Sequence, residues 1–104
     1  MNECPVVNAV LSLLSWGGKL PTTVEDWQNV ATHYAADLHI VQARGSVGVT
    51  LDEIIVVRES SNQGILNRRI AHEMTEYLLT TEYSEPFIDQ VSRHQIASQV
   101  ESFY

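Results

Sequence analysis

The sequence predicts a single α+β domain spanning residues 1–104: N-terminal helices, a small three-stranded antiparallel sheet, a helix bearing the site, and a C-terminal helix. Three observations lead there. Apolar residues recur at helical spacing through the first third of the chain and again from Ile65 onward. Between those stretches the period drops to two, in a segment rich in β-branched residues. And 104 residues, 44% of them hydrophobic, suffice for one core but not for two.

Val6, Val7, Val10, Leu11, Leu13 and Leu14 predict a first helix that is apolar over more than half its circumference. Gly17-Gly18 should end it, since glycine accepts the left-handed geometry of a helix C-terminus. After Pro21, Thr22-Thr23-Val24-Glu25 offers a capping box, with Thr22 as cap and Glu25 reaching back. Val24, Trp27, Val30, Ala31, Tyr34, Ala35 and Leu38 then mark a second helix, expected to run to about Asp37. Trp16, Trp27 and Tyr34 read as core or rim aromatics.

His39 to Ala43 is β-prone and closes at Arg44-Gly45. Val47, Val49 and Leu51 alternate with small or polar neighbours, and Ile54-Ile55-Val56-Val57 is a β-branched run flanked by charge. Asp52-Glu53 reads as the hairpin turn between these two pieces. Ser60-Ser61-Asn62 is a loop able to cap the next helix. There Leu66, Ile70, Met74, Tyr77 and Leu78 fall on one side at about 100° per residue. His72 and Glu76 lie opposite, with Arg69 close to them in angle and Ile65 and Leu79 bracketing that face, so it too should meet protein. Pro86 suits the first turn of the last helix, where Phe87, Ile88 and Val91 start a stripe close to His94. Ile96, Val100 and Phe103 fall toward another side, left for the N-terminal helix or for a partner subunit such as a second copy of the chain.

Thirteen acidic against six basic side chains give a net charge of −7, with lysine only at Lys19. A phosphate backbone or an anionic lipid surface needs clustered cations, so nucleic acid and membrane are not expected partners. The lone Cys4 forms no internal disulfide and suits a reducing compartment. The apolar run over residues 5–16 is too short to span a bilayer and lacks the basic leader of a signal peptide. A cytoplasmic protein is the expectation.

The most informative stretch is His72-Glu73-Met74-Thr75-Glu76. In an H-E-x-x-H helix two histidines four residues apart offer nitrogens to one metal, and the glutamate beside the first acts as general base. Here Glu76 takes the second ligand position, and a carboxylate also binds zinc. A third ligand must come from another element. His94, on the following helix, is the obvious choice, with Glu82 and Glu85 as fallbacks. The set His72, Glu76 and His94 suits Zn2+, although two nitrogens and an oxygen also accept manganese or iron. Glu73, about a quarter turn away, would take the proton of a metal-activated water attacking a peptide carbonyl.

The plainer account is a solvated helix face. H-E-x-x-E is a loose pattern, Arg69 with Glu73 makes an i, i+4 ion pair, and a lone His94 is more often a surface residue than a ligand. His33 and His39 lack partners at ligand spacing and read as surface or helix-end residues. Other active-site classes do worse. There is no G-x-S-x-G elbow; Gly45-Ser46-Val47-Gly48 is too short for a phosphate loop, and Cys4 has no nearby histidine.

Gly48-Val49-Thr50-Leu51-Asp52-Glu53-Ile54-Ile55-Val56-Val57, followed by Asn67-Arg68-Arg69-Ile70-Ala71-His72-Glu73-Met74-Thr75-Glu76-Tyr77-Leu78-Leu79, resembles the ImmA/IrrE-type zincin-like metallopeptidases. The resemblance covers roughly residues 39 to 100, and the helix is its most specific part. It implies a zincin-like fold and proteolysis, typically of a helix-turn-helix repressor. Two departures from the family pattern are reciprocal. Glu76 stands where the family has histidine, and His94 in His94-Gln95-Ile96-Ala97-Ser98-Gln99-Val100 stands where it has the glutamate ligand. The exchange keeps the ligand inventory. The competing function is a non-catalytic protein-binding or regulatory module on the same scaffold, its metal site empty or merely structural.

Overall fold

The computed structural model describes residues 4–42, 48–81 and 89–104. The elements run α1 (Cys4–Leu14), α2 (Val24–His33), β1 (Asp37–Val41), β2 (Gly48–Leu51), β3 (Ile54–Arg58), α3 (Gln63–Thr81) and α4 (Gln90–Glu101). The α+β class is as the sequence predicts; the sheet is not. Its order is β1-β3-β2, with β2 antiparallel to β3 but β1 parallel to it. The reason lies in β3. Ile54-Ile55-Val56-Val57 is apolar on both faces, so this strand gains most from neighbours on both edges and takes the centre. The Asp52-Glu53 turn, with Asp52 at φ 54°, folds β2 back along one edge. The other edge is left for β1, which arrives running the same way as β3.

The alternation read in β2 is present, and its apolar side faces outward. Val49 and Leu51 are exposed, while Gly48 and Thr50 face α3. On the same inward face Ile55 and Val57 of β3 are fully buried, paired in register with Leu38 and Ile40 of β1. The outer face therefore carries exposed Val49, Leu51 and Ile54, with Leu51 opposite Ile54.

α3 is the centre of the molecule, packed on the sheet on one side and against α4 and α1 on the other. Its predicted stripe of Leu66, Ile70, Met74, Tyr77 and Leu78 is buried throughout. Asn62 starts it, its Oδ1 accepting from Ile65 N at 3.0 Å. Leu79 is buried as expected, but Ile65 is exposed. A polar clasp ties α2 to α3: Trp27 Nε1 donates to Asn67 Oδ1 at 3.0 Å, and Asn67 Nδ2 donates to Thr22 O at 3.2 Å. Trp27 is fully buried, whereas Trp16 is exposed and rests edge-on against His33.

Several boundaries differ from the sequence reading. α1 ends at Leu14, and Gly17-Gly18 form instead a tight turn between Trp16 and Lys19, which exchange backbone hydrogen bonds of 2.8 and 3.2 Å. Both glycines have positive φ, 62° and 82°. The cap of α2 is Thr23 rather than Thr22: Thr23 Oγ1 accepts from Asp26 N, and Asp26 rather than Glu25 reaches back, to Thr22 N. α2 stops at His33, four residues early, because Ala35 turns left-handed at φ 59°. Ala36 N then donates to Ala31 O and Ala35 N to Thr32 O, the paired closure of a Schellman motif.

The last helix is also rotated from expectation. Asp89 caps α4 by accepting from Ser92 N at 2.8 Å. Pro86, Phe87 and Ile88 lie outside the described residues, and Val91 is exposed. Ile96, Ala97 and Val100 form the buried face, and Ile96 and Val100 join the core against α1 and α3. That side is thus not free for a partner subunit; only Phe103 remains exposed. No described helix is long and apolar enough to cross a membrane.

Candidate metal centre

α3 and α4 pack side by side, and their polar faces meet beside β2. His72 and Glu76 are one turn apart on α3, so their side chains project together. His94 reaches them from α4. Three atoms converge: His72 Nε2 lies 2.9 Å from Glu76 Oε2 and 3.2 Å from His94 Nδ1, which is 3.6 Å from Glu76 Oε2. In a tetrahedral zinc site with bonds near 2.0–2.1 Å, ligand atoms sit about 3.3 Å apart. The observed triangle brackets that value. These three residues form a group able to hold a metal ion. His94 closes it from the outside, its side chain 64% exposed, while that of His72 is 13% exposed.

The donor set suits a divalent metal ion by chemistry as well as by spacing. Two imidazoles and a carboxylate leave a fourth position open, as catalytic zinc sites require. His72 presents Nε2 to the group and has Nδ1 bonded elsewhere, 2.5 Å from Glu101 Oε1. A carboxylate behind a ligand histidine fixes the ring's orientation and tautomer.

Glu73 lies beside this triangle, buried at 8% exposure. Thr50 Oγ1 donates to its Oε1 at 2.7 Å and also sits 3.1 Å from its backbone carbonyl. Gly48 supplies the space, for a Cβ there would lie 2.9 Å from Glu73 Cγ. Burial, the largest influence, pushes the Glu73 carboxyl above the ordinary value of 4.5. The Thr50 hydrogen bond opposes that, Glu76 adds to it, and His72 and His94 weakly counter it.

All these groups open into one cleft of about 610 Å³, walled by β2, α3 and α4. Arg69 lines it too, but the ion pair expected with Glu73 does not form. Arg69 Nη1 donates instead to the backbone carbonyls of Arg58 and Glu59, each at 3.0 Å. The fallback ligands Glu82 and Glu85 and the side chain of Cys4 lie outside the described residues. His33 is exposed at the end of α2, as expected. His39 is also exposed on β1 but has a carboxylate partner, Asp37 Oδ2, at 2.9 Å.

Glu101 and Thr50 were not among the residues singled out from sequence. Glu101 carried a signal: it follows His94 by seven residues, two helical turns, and so shares its face. Thr50 carried one as well, a polar residue set between Val49 and Leu51 on the face opposite to them.

No family model, curated protein or solved structure matches this chain. What the group can do chemically is set by its own geometry. What the described residues bring together is a group able to hold a metal ion, a buried carboxylate beside it and a cleft along a sheet edge.

Proposed function

We propose that the chain is a zinc-dependent peptidase on a zincin-like scaffold, with His72, Glu76 and His94 as metal ligands and Glu73 as general base. The observation that carries this is the ligand triangle, whose three edges of 2.9, 3.2 and 3.6 Å match a single ion of zinc's bond length. When bound, zinc supplies Lewis acidity that brings a water's pKa toward about 7 and polarises a carbonyl. Glu73 accepts the proton from the attacking water and delivers it to the leaving amine. Its raised pKa moves it toward the range where both transfers are easy. Thr50 holds one carboxylate oxygen in place, and Glu101 keeps the His72 ring turned with Nε2 inward.

The peptide character of the substrate follows from β2. It is an edge strand, unpaired on its outer side among the described residues, and its Gly48, Val49 and Thr50 line the cleft. An extended peptide can add to such an edge by main-chain hydrogen bonds. A regulatory protein of repressor type is what the family resemblance adds.

The test is metal content followed by activity. Protein purified without an affinity histidine tag is expected to carry near-stoichiometric zinc, lost in His72→Ala. Glu73→Gln is expected to keep the zinc and to lose hydrolysis of an unfolded protein substrate. Absence of zinc from both parent and His72→Ala would favour the competing function, a non-catalytic protein-binding module. One observation supports that second reading: exposed Val49, Leu51 and Ile54 make an apolar outer sheet face.

A further inference from the structure

Arg69 lines the same cleft, one turn before Glu73 and about 6 Å from it along α3 at 1.5 Å per residue. Its Nη1 is shared between two backbone carbonyls, Arg58 O and Glu59 O. Both acceptors are neutral, so they fix the plane of the guanidinium without cancelling its charge. Among the described residues no carboxylate forms an ion pair with it, in a chain whose net charge is −7. Glu73, at i+4, is the usual partner for such an arginine, yet it is engaged by Thr50. The opposite edge of the guanidinium, Nε and Nη2, makes no hydrogen bond to a described residue. A clamp on two carbonyls uses one nitrogen; the remaining two form the fork that matches a carboxylate.

We infer that Arg69 is a carboxylate-recognition subsite of the cleft, taking a substrate carboxylate bidentately through Nε and Nη2. The assignment of that carboxylate to a peptide rests on the peptidase reading above. Arg69 and Glu73 line one cleft a helical turn apart, so a single extended peptide, advancing about 3.3 Å per residue, can span the distance between them. A peptide's free C-terminus and an Asp or Glu side chain offer the same chemistry at that distance.

Three probes separate the sources: acetyl-Ala-Ala-Ala as the free acid, the same tripeptide as its amide, and acetyl-Ala-Glu-Ala amide. Their binding to the zinc-loaded full chain is read by calorimetry in a Glu73→Gln background, which prevents turnover. One of the two carboxylate probes is expected to bind about 10- to 100-fold more tightly than the plain amide, the range of a charge-assisted paired hydrogen bond. Preference for the free acid assigns a chain terminus; preference for the glutamyl peptide assigns an acidic side chain. Arg69→Gln, at unchanged zinc content, is expected to abolish the preference, and Arg69→Lys to leave only a few-fold remnant, because lysine keeps the charge without the fork. Equal binding of all three probes overturns the inference, as does a preference that survives Arg69→Gln. If Arg69→Gln does not fold, the zinc-free parent protein decides. A preference retained there belongs to Arg69; one lost with the zinc belongs to the metal and overturns the inference. Failure to take up zinc sinks the peptidase function but leaves the carboxylate preference measurable in that zinc-free titration, so the two fail separately.

Discussion

Gly48 and Glu73 meet with no room for a side chain between them: a Cβ on Gly48 would lie 2.9 Å from Glu73 Cγ and 3.0 Å from its Oε2. Gly48 is not among the residues with positive φ, so what glycine provides here is space, not backbone freedom. The atoms in the way belong to a side chain, which yields more readily than backbone. Gly48→Ala should therefore leave the fold and the three ligands in place and push the carboxylate aside. The expected outcome is unchanged zinc content with hydrolysis slowed about 100-fold, the scale of a misplacement near 1 Å. Full activity in this variant would show that the Gly48 approach does not set the position of the base.

In the proposed metal centre, Glu101 acts through His72. Its carboxylate accepts from Nδ1 at 2.5 Å, so α4 brings to the three-residue group both His94 and the side chain that orients His72. Replacing an outer carboxylate of this kind costs about 10- to 100-fold in metal affinity. Glu101→Gln is expected to lower zinc affinity by that factor in a chelator competition. The melting temperature of the zinc-free protein should change little, because the side chain is one-third exposed. Glu101→Asp, which keeps the charge on a shorter arm, should recover part of the loss. Equal zinc affinity in parent and Glu101→Gln would reduce the contact to a surface ion pair.

Much of the architecture was legible because periodicity reports burial directly. The α3 stripe from Leu66 to Leu78 was readable, since a two-sided helix with one apolar stripe has few alternatives. The direction of β1 was not. Strand pairing is set by which strand most needs two neighbours, and that is a tertiary property of β3. Nor could the alternation in β2 say which side is inward: that side is given to Gly48 and Thr50, which contact Glu73, and the apolar residues point outward. At the site, His72, Glu73 and Glu76 were legible from spacing alone, because one helix carries them. His94 needed the guess that the next helix folds back. Glu101 went unread even though it follows from His94 by two turns.

Ala35 marks a place where sequence and backbone disagree. It closes α2 from the left-handed region at φ 59°, a position that glycine usually fills. A Cβ in that region costs roughly 1 kcal/mol or more. Ala35 is exposed, so removing its methyl forfeits little packing. Ala35→Gly is accordingly expected to raise stability by up to about 1 kcal/mol, net of glycine's extra freedom in the unfolded chain. Urea denaturation measures it directly. A loss of stability would mean that Ala35 does not hold this conformation in solution.

Glu73 ties stability to pH in a direction opposite to that of a salt-bridged carboxylate. Burial, reinforced by Glu76, raises its pKa above 4.5 in the folded chain, against the pull of Thr50, His72 and His94. Between the unfolded value and the raised folded one, the native state binds more protons than the unfolded state. Stability contributed by this group therefore falls as pH rises through that window and is constant outside it. Glu73→Gln removes the ionisation while keeping an oxygen for Thr50. In the presence of a chelator, the melting temperature of the variant minus that of the parent should grow as pH climbs from 4.5, then level off. A difference independent of pH would mean that ionised Glu73 experiences no burial penalty. Added zinc should lower the pH at which the difference levels off and shrink its size, because a nearby dication favours the ionised carboxylate of the folded chain; no change would place the ion away from Glu73.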